Sequence, residues 1–140
     1  MSRFTPQEIE YLQSQRLGRM ATIDPKGDLH VVPLGFRYNP EEDTIDLGGH
    51  NIAGTKKYRD ALQYGRIAFV VDDVLPPWKP RFVEVRGTVQ AFSEGGKAIN
   101  EGFRPEILRL TPTYIVSMGI NEEVVRPGQG MVNYHGRKVT

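Results

Sequence analysis

The run His50-Asn51-Ile52-Ala53-Gly54-Thr55-Lys56-Lys57-Tyr58-Arg59 gathers the side chains best suited to chemistry. Gly54 and Thr55 stand where a helix is expected to begin. Free backbone N–H groups and the positive end of the helix dipole attract anions there. The Thr55 hydroxyl adds a donor, and Lys56, Lys57 and Arg59 add positive charge, so the set suits a phosphate. The same residues also read as a capped helix with solvated lysines, and spacing alone leaves both readings open. No Walker A pattern is present, which argues against a nucleotide-hydrolysing loop.

Other chemistries find less support. His30, His50 and His135 lack metal-ligand spacing, so no metal site is expected. No G-x-S-x-G elbow occurs, and no serine triad suggests itself. Carboxylates are scattered: Glu41-Glu42-Asp43 falls in a turn and Glu122-Glu123 in the tail, where they keep loops soluble. No catalytic residue emerges. Trp78, set among prolines, suits either the cover of a planar ligand or packing against the fold. Arg81, Glu84 and Arg86 read as the wet face of a strand or as the lining of a cleft. A phosphate cradle and a stiff aromatic loop without acid–base machinery fit a cofactor that carries its own reactivity, as flavins and deazaflavins do.

The elements that must position these groups change period along the chain. Thr5, Pro6 and Glu8 form an N-cap, a first-turn proline and a capping box, so residues 1–16 contain an N-terminal helix fading before Gly18. Residues 17–24 and 29–38 then alternate around the turn Asp24-Pro25-Lys26-Gly27-Asp28, which predicts a hairpin with Val32, Leu34, Phe36 and Tyr38 on one face. Pro33 donates no ladder hydrogen bond, so an edge or bulge is expected beside it. Thr44 to Leu47 makes a third strand, and Thr55 to Tyr64 a short helix ended by Gly65. Arg66 to Val71 is a buried strand, and Leu75 to Pro80 a stiff loop. In Phe82 to Phe92, Val83, Val85, Val89 and Ala91 share a face. A helix over Gly95 to Arg104 and one or two strands over Leu108 to Ile120 follow. Residues 121–140 show no period and are expected to be an irregular tail. About six strands with two or three short helices predict a mainly β (α+β) fold: a closed or nearly closed antiparallel barrel in one domain, residues 1–140.

Composition narrows the function. Lys and Arg total 18 against 17 Asp and Glu, a net charge of +1 that argues against a globally basic nucleic-acid binder. Cysteine is absent, which excludes disulfides, thiolate metal sites and thiol catalysis. No apolar run approaches the ~20 residues of a membrane span. The first residues carry no apolar signal core, so a cytoplasmic location without a membrane partner is expected.

With these motifs in order, the chain resembles the pyridoxamine-5′-phosphate oxidase-like split-barrel superfamily, and within it the branch of F420-dependent enzymes. The resemblance runs through Leu17-Gly18-Arg19-Met20-Ala21-Thr22, Val31-Val32-Pro33-Leu34-Gly35-Phe36, Gly54-Thr55-Lys56-Lys57, Val83-Glu84-Val85-Arg86-Gly87 and Leu110 to Ile120. It implies a split antiparallel barrel that dimerises with itself and holds its cofactor in the groove between the two copies. It places the phosphate-gripping S/T-x-K segment on Thr55-Lys56-Lys57 and preceding contacts on His50 and Asn51. The strand along the ring falls on His30, Val31, Val32, Pro33 and Leu34. FMN-using oxidases of that superfamily carry Arg and Lys where this chain has His30 and Gly35, which favours F420 over FMN. The F420 branch often has Trp where Met118 stands.

The reading that results is an F420-dependent oxidoreductase moving a hydride between cofactor and a small unsaturated or conjugated substrate. Thr55, Lys56 and Lys57 hold the phosphate, Arg59 or Lys79 meets the acidic tail, and Trp78 covers the ring. The alternatives are an FMN-binding reductase or oxidase, a non-catalytic module for a flavin, tetrapyrrole or lipid-like ligand, and, well behind, an OB-like nucleic-acid binder.

Overall fold

The computed structural model describes residues 1–120 and 134–140. Helix α1 (Pro6–Gln13) starts as its capping box dictates: Glu8 N donates to Thr5 Oγ1 (3.1 Å) and Thr5 N to Glu8 Oε1 (2.8 Å). Strands β1 (Leu17–Ile23) and β2 (Leu29–Asn39) form the expected hairpin. Asp24 Oδ1 closes its turn by accepting from Lys26 N and Asp28 N at 2.9 and 3.0 Å. Strand β3 (Thr44–Gly48) leads through a 3-10 turn (Ile52–Gly54) into α2 (Lys56–Tyr64). Gly65 ends α2 at φ 85°, where a side chain would be strained. Strands β4 (Arg66–Leu75) and β5 (Lys79–Phe92), the single-turn helix α3 (Gly96–Ile99), β6 (Ile107–Met118) and β7 (Tyr134–Lys138) follow.

All pairings are antiparallel, in the order β3-β2-β1-β4-β5-β6-β7, and β3 also pairs with β6 from Ile45↔Leu110 to Leu47↔Leu108. Six strands therefore close a barrel, with β7 added beyond it. Alternate residues point inward. Met20, Leu34, Phe36, Leu47, Phe69, Val83, Val85, Val89 and Leu110 are buried there, with Phe36 edge-on to Phe69 at 5.4 Å. Each such side chain contributes about 1.5–3 kcal/mol. The expectation for Val83, Val85, Val89 and Phe69 holds, but Ala91 is exposed near the end of β5.

Barrel closure is pinned by a buried charge. Asp46 on β3 is 2% exposed and accepts Arg109 Nε of β6 at 2.9 Å, with Asn39 Nδ2 (2.9 Å) and Thr44 Oγ1 (3.2 Å) as further donors. At Arg86/Gly87 a bulge shifts the β5–β6 register. Only glycine fits there, because a Cβ would lie 2.0 Å from the Thr111 carbonyl oxygen.

Some elements differ from the sequence reading. The N-terminal helix is confined to residues 6–13 of the expected 1–16. The helix expected over Gly95 to Arg104 shrinks to Gly96–Ile99, since Asn100 is extended (φ −157°) and spends its side chain on Gly102 N. The stiff loop is instead a tight hairpin. Leu75 pairs with Lys79, leaving Pro76, Pro77 and Trp78 at the tip, with a cis bond between the prolines. Residues 134–138 of the tail are a strand, not irregular, and 121–133 lie outside the described residues. Arg137 of β7 explains the ordering: it donates to Glu8 at 2.6 and 2.9 Å and to the Arg3 carbonyl at 2.9 Å.

Burial raises the Glu8 pKa, but hydrogen bonds from Arg137, Thr5 and Ser117 outweigh it and hold the carboxyl below its ordinary range. A depressed carboxylate stabilises the fold above its unfolded pKa, and that contribution is lost as pH falls through the folded value. Glu8→Gln should therefore cost about 2 kcal/mol at neutral pH, given a pair partly open to solvent. Its urea midpoint should also fall less steeply than wild type between pH 7 and 3. Gly87→Ala, overpacked against backbone, should cost roughly 3 kcal/mol in the same titration.

Candidate functional site

β2 is paired on both edges over only part of its length. From Gly35 to Asn39 it has β3 beside it, while from Leu29 to Leu34 it pairs with β1 alone. Alternate N–H and C=O groups of this half have no strand partner, and Pro33 sits within it, as its missing N–H requires. The segment after β3 follows this bare edge. It leaves Gly48, the cross-strand partner of Gly35, and reaches Lys56, whose Nζ lies 3.6 Å from Asp24 Oδ2. That same oxygen lies 2.9 Å from His30 Nε2. Asp24 thus ties the start of α2 to the His30 end of the bare edge. The stretch between His30 to Leu34 on β2 and the segment carrying His50, Asn51, Thr55, Lys56 and Lys57 is called the slot below.

At one end of the slot stands the N-terminus of α2. Thr55 caps it, accepting from Tyr58 N (3.4 Å) while its hydroxyl donates to the Ile52 carbonyl (2.6 Å). The hydroxyl is thus not the spare donor expected from sequence. Lys56 is also committed: its Nζ is 2.6 Å from Asp60 Oδ2, and that bond, with Asp24 behind it, raises the Lys56 pKa. Lys57 is half-buried and has no ion pair among the described residues. What remains for an anion is Lys57, exposed Arg59 and the first-turn N–H groups that no helix can satisfy internally.

The other end is closed by Phe103, which sequence reasoning missed. Its ring lies over the paired glycines Gly35 and Gly48; a Cβ on Gly35 would come within 2.8 Å of it. Gly35 is thus a seat for Phe103, and a cation there would evict the ring. His50 meets Phe103 edge-on at 5.2 Å and sets Nδ1 3.2 Å from the Gly102 carbonyl. The only signal was the glycine pair itself, visible once the β2–β3 register is known. Asp24 was read as a turn residue and also joins His30 to α2.

Trp78 is placed elsewhere. Val70 pairs with Arg19, which pairs with Pro33, so these three are level. The hairpin tip lies about eight residues beyond that level and His30 about three the other way, a separation of roughly 30 Å along the strands. Trp78, 74% exposed, and Lys79 therefore lie away from the slot of their own chain. Arg81 pairs with Asp73 (2.6 Å) and Arg86 with Glu84 (2.8 Å).

Outside the barrel, an apolar groove of about 490 Å³ runs over Ala21 and Ala68 between Val31 and Phe82, with the Arg19–Asp72 pair at its rim. A second hollow of about 320 Å³ continues past Leu29 and Tyr64. Leu29 and Val31 are 78% and 68% exposed, a strip contiguous with the slot. No metal-binding cluster and no helix able to cross a membrane occur among the described residues.

No protein-family model matches the chain. The chain is 36% identical over 139 residues to the 5a,11a-dehydrotetracycline/5a,11a-dehydrooxytetracycline reductase of Streptomyces rimosus subsp. rimosus, covering 98% of this chain and 94% of the relative. In fold it is similar to an FAD binding protein from Mycobacterium smegmatis (TM-score 0.62, 22% identity, 81% of this chain and 92% of that one). It is also similar to a pyridoxamine 5′-phosphate oxidase-related, FMN binding protein from Nostoc punctiforme (TM-score 0.57, 12% identity, 95% and 91%).

His30, with help from the Asp28 and Lys26 N–H groups and Lys56, holds the Asp24 carboxyl at about 2. Carbon-detected titration should find it there, and His30→Ala should move it toward the ordinary carboxylate range.

Proposed function

The chain belongs to the pyridoxamine-5′-phosphate oxidase-like split-barrel superfamily, in the family of the dehydrotetracycline reductase, and is an oxidoreductase; from that premise we propose that it uses the deazaflavin F420. The observation that carries this reading is the slot along the unpaired half of β2, ending at the N-terminus of α2. Its two ends differ as a cofactor with a ring and a phosphate requires. Main-chain groups of Val31 to Leu34 meet the polar edge of the ring. His50 and Asn51 line the middle, and Lys57 with the first-turn N–H groups grips the phosphate.

Lys56 keeps its place in this wall as a clip to Asp24 and Asp60 rather than as the anion's main partner. Arg59, exposed one residue past Tyr58, is left to the acidic tail, since Lys79 lies at the far hairpin tip. The deazaflavin would supply the hydride, and the substrate proposed is a small unsaturated or conjugated molecule; the relative is named as a reductase of 5a,11a-dehydrotetracycline and 5a,11a-dehydrooxytetracycline. No catalytic acid is assigned among the described residues, and the accompanying proton comes from solvent or from the substrate. The exposed Leu29–Val31 strip and the apolar groove support a homodimer whose second copy covers the cofactor. Trp78, out of reach of its own slot, is assigned to the slot of that second copy.

His30 is occupied by Asp24 and Gly35 by the Phe103 ring, so neither offers a free cation to FMN. Fluorescence titration should show F420 binding more tightly than FMN; equal or tighter FMN binding reverses the assignment. Lys57→Ala should weaken F420 by about one to two decades, from the loss of roughly 1.5–3 kcal/mol of charge-assisted hydrogen bonding, with apo melting unchanged. Lys26→Ala, a turn lysine, should change neither. Unaltered affinity in Lys57→Ala and in the Lys56/Lys57 double variant overturns the phosphate assignment. Sedimentation with cofactor should give a dimer at micromolar concentration.

A further inference from the structure

A third concavity, of about 460 Å³, lies on the outer side of β2 between the C-terminal end of α1 and α3. Unlike the apolar groove it is polar, and its lining includes two arginines, Arg16 and Arg37, and no acidic residue. These arginines are less tightly paired than three others of this chain. Arg81, Arg109 and Arg137 each close on a carboxylate at 2.6–2.9 Å. Arg37 is only 3.7 Å from Glu41, which is 74% exposed, and Arg16 has no ion pair among the described residues. Glu41 is not among the residues lining the concavity, so an anion entering it meets guanidinium forks with no carboxylate of the lining competing for them.

The rest of the lining says what kind of anion. Phe103 forms a wall, backed by the Gly35 surface that only a glycine leaves open, and Ile99 extends the apolar side. Gln13 and Asn100 add amide groups. An aromatic wall facing a pair of forks suits a planar organic anion whose charge lies at one edge. Phe103 is also the wall that closes the cofactor slot at the end away from α2. The concavity therefore adjoins the end of the slot opposite the phosphate.

We propose that Arg16 and Arg37 form a recognition site for a planar carboxylate or enolate, the acidic edge of the substrate. That the bound anion is the substrate rests on the oxidoreductase reading above; that the site takes such an anion does not.

The test uses naphthalene-2-carboxylate and its uncharged counterpart naphthalene-2-carboxamide, titrated into the full-length protein and followed by backbone amide shifts. The carboxylate should bind at least tenfold more tightly than the amide, with the largest shifts at Gly35, Arg37, Asn100 and Phe103. Arg16→Gln should reduce that preference and Arg16→Gln/Arg37→Gln should abolish it, while leaving F420 affinity unchanged. Arg16→Gln removes no ion pair made by the described residues, so it tests the site even if the double variant is poorly folded. Arg16→Lys should keep part of the preference. Equal binding of the two probes, an undiminished preference in Arg16→Gln, or shifts confined to α2 would overturn the site. Failure of F420 to bind, with the carboxylate preference intact, would instead count against the cofactor reading alone.

Discussion

β3 is too short for the two strands it joins. It has five residues, set between a β2 of eleven and a β6 of twelve. It pairs with residues 35–39 of β2 and with residues 108–110 of β6, and both neighbours run on past it in opposite directions. On β2 the overhang, residues 29–34, is the bare edge of the slot. On β6 the overhang, residues 114–118, is taken up by β7. A longer β3 would close the barrel fully and erase the site. Asp43 turns the chain in at φ 58°, and the strand ends at Gly48.

A short strand that closes a barrel needs a strong register signal, because few ladder bonds hold it. Asp46 provides one. Burying a carboxylate is costly, and its attraction to Arg109 offsets that cost only when the remaining lone pairs are also filled. Asn39 and Thr44 fill them. A slip by one residue would turn Asp46 away from Arg109 and reverse the inward face of the strand. The same device recurs on β7, where Arg137 reaches a Glu8 that is 1% exposed and already engaged in the cap of α1. Both ion pairs join segments far apart in sequence, so they fix topology rather than local structure.

This division explains what could be read from the sequence. The first hairpin, the cap of α1, the C-terminus of α2 at Gly65 and the inward valines of β5 follow from local rules, and the structure has them. Ala91 departed because the end of β5 carries its alternation beyond the filled part of the barrel. The strand at 134–138 could not be read because its order depends on Glu8, more than a hundred residues away. Phe103 escaped for the same reason: its seat is two glycines that meet only when β2 and β3 pair. Thr55, Lys56 and Lys57 were singled out together, yet sequence cannot say which cations already have partners.

That last point governs what the start of α2 can offer to an anion. Counting charge along His50 to Arg59 gives three cations and suggests a strongly basic cradle. Folding removes Lys56 from the count by bringing Asp24 to it from the β1–β2 turn and Asp60 from one turn further along α2. The Thr55 hydroxyl is removed too, by the Ile52 carbonyl. What remains is half-buried Lys57, exposed Arg59 and the oriented first-turn N–H groups, a narrower set for the proposed phosphate. A cluster of free lysines would attract any anion over a Debye length. One half-buried lysine beside a helix end favours an anion that fits. In the proposed reading Asp24 matters as much as the lysines, since its negative charge already engages His30 and Lys56.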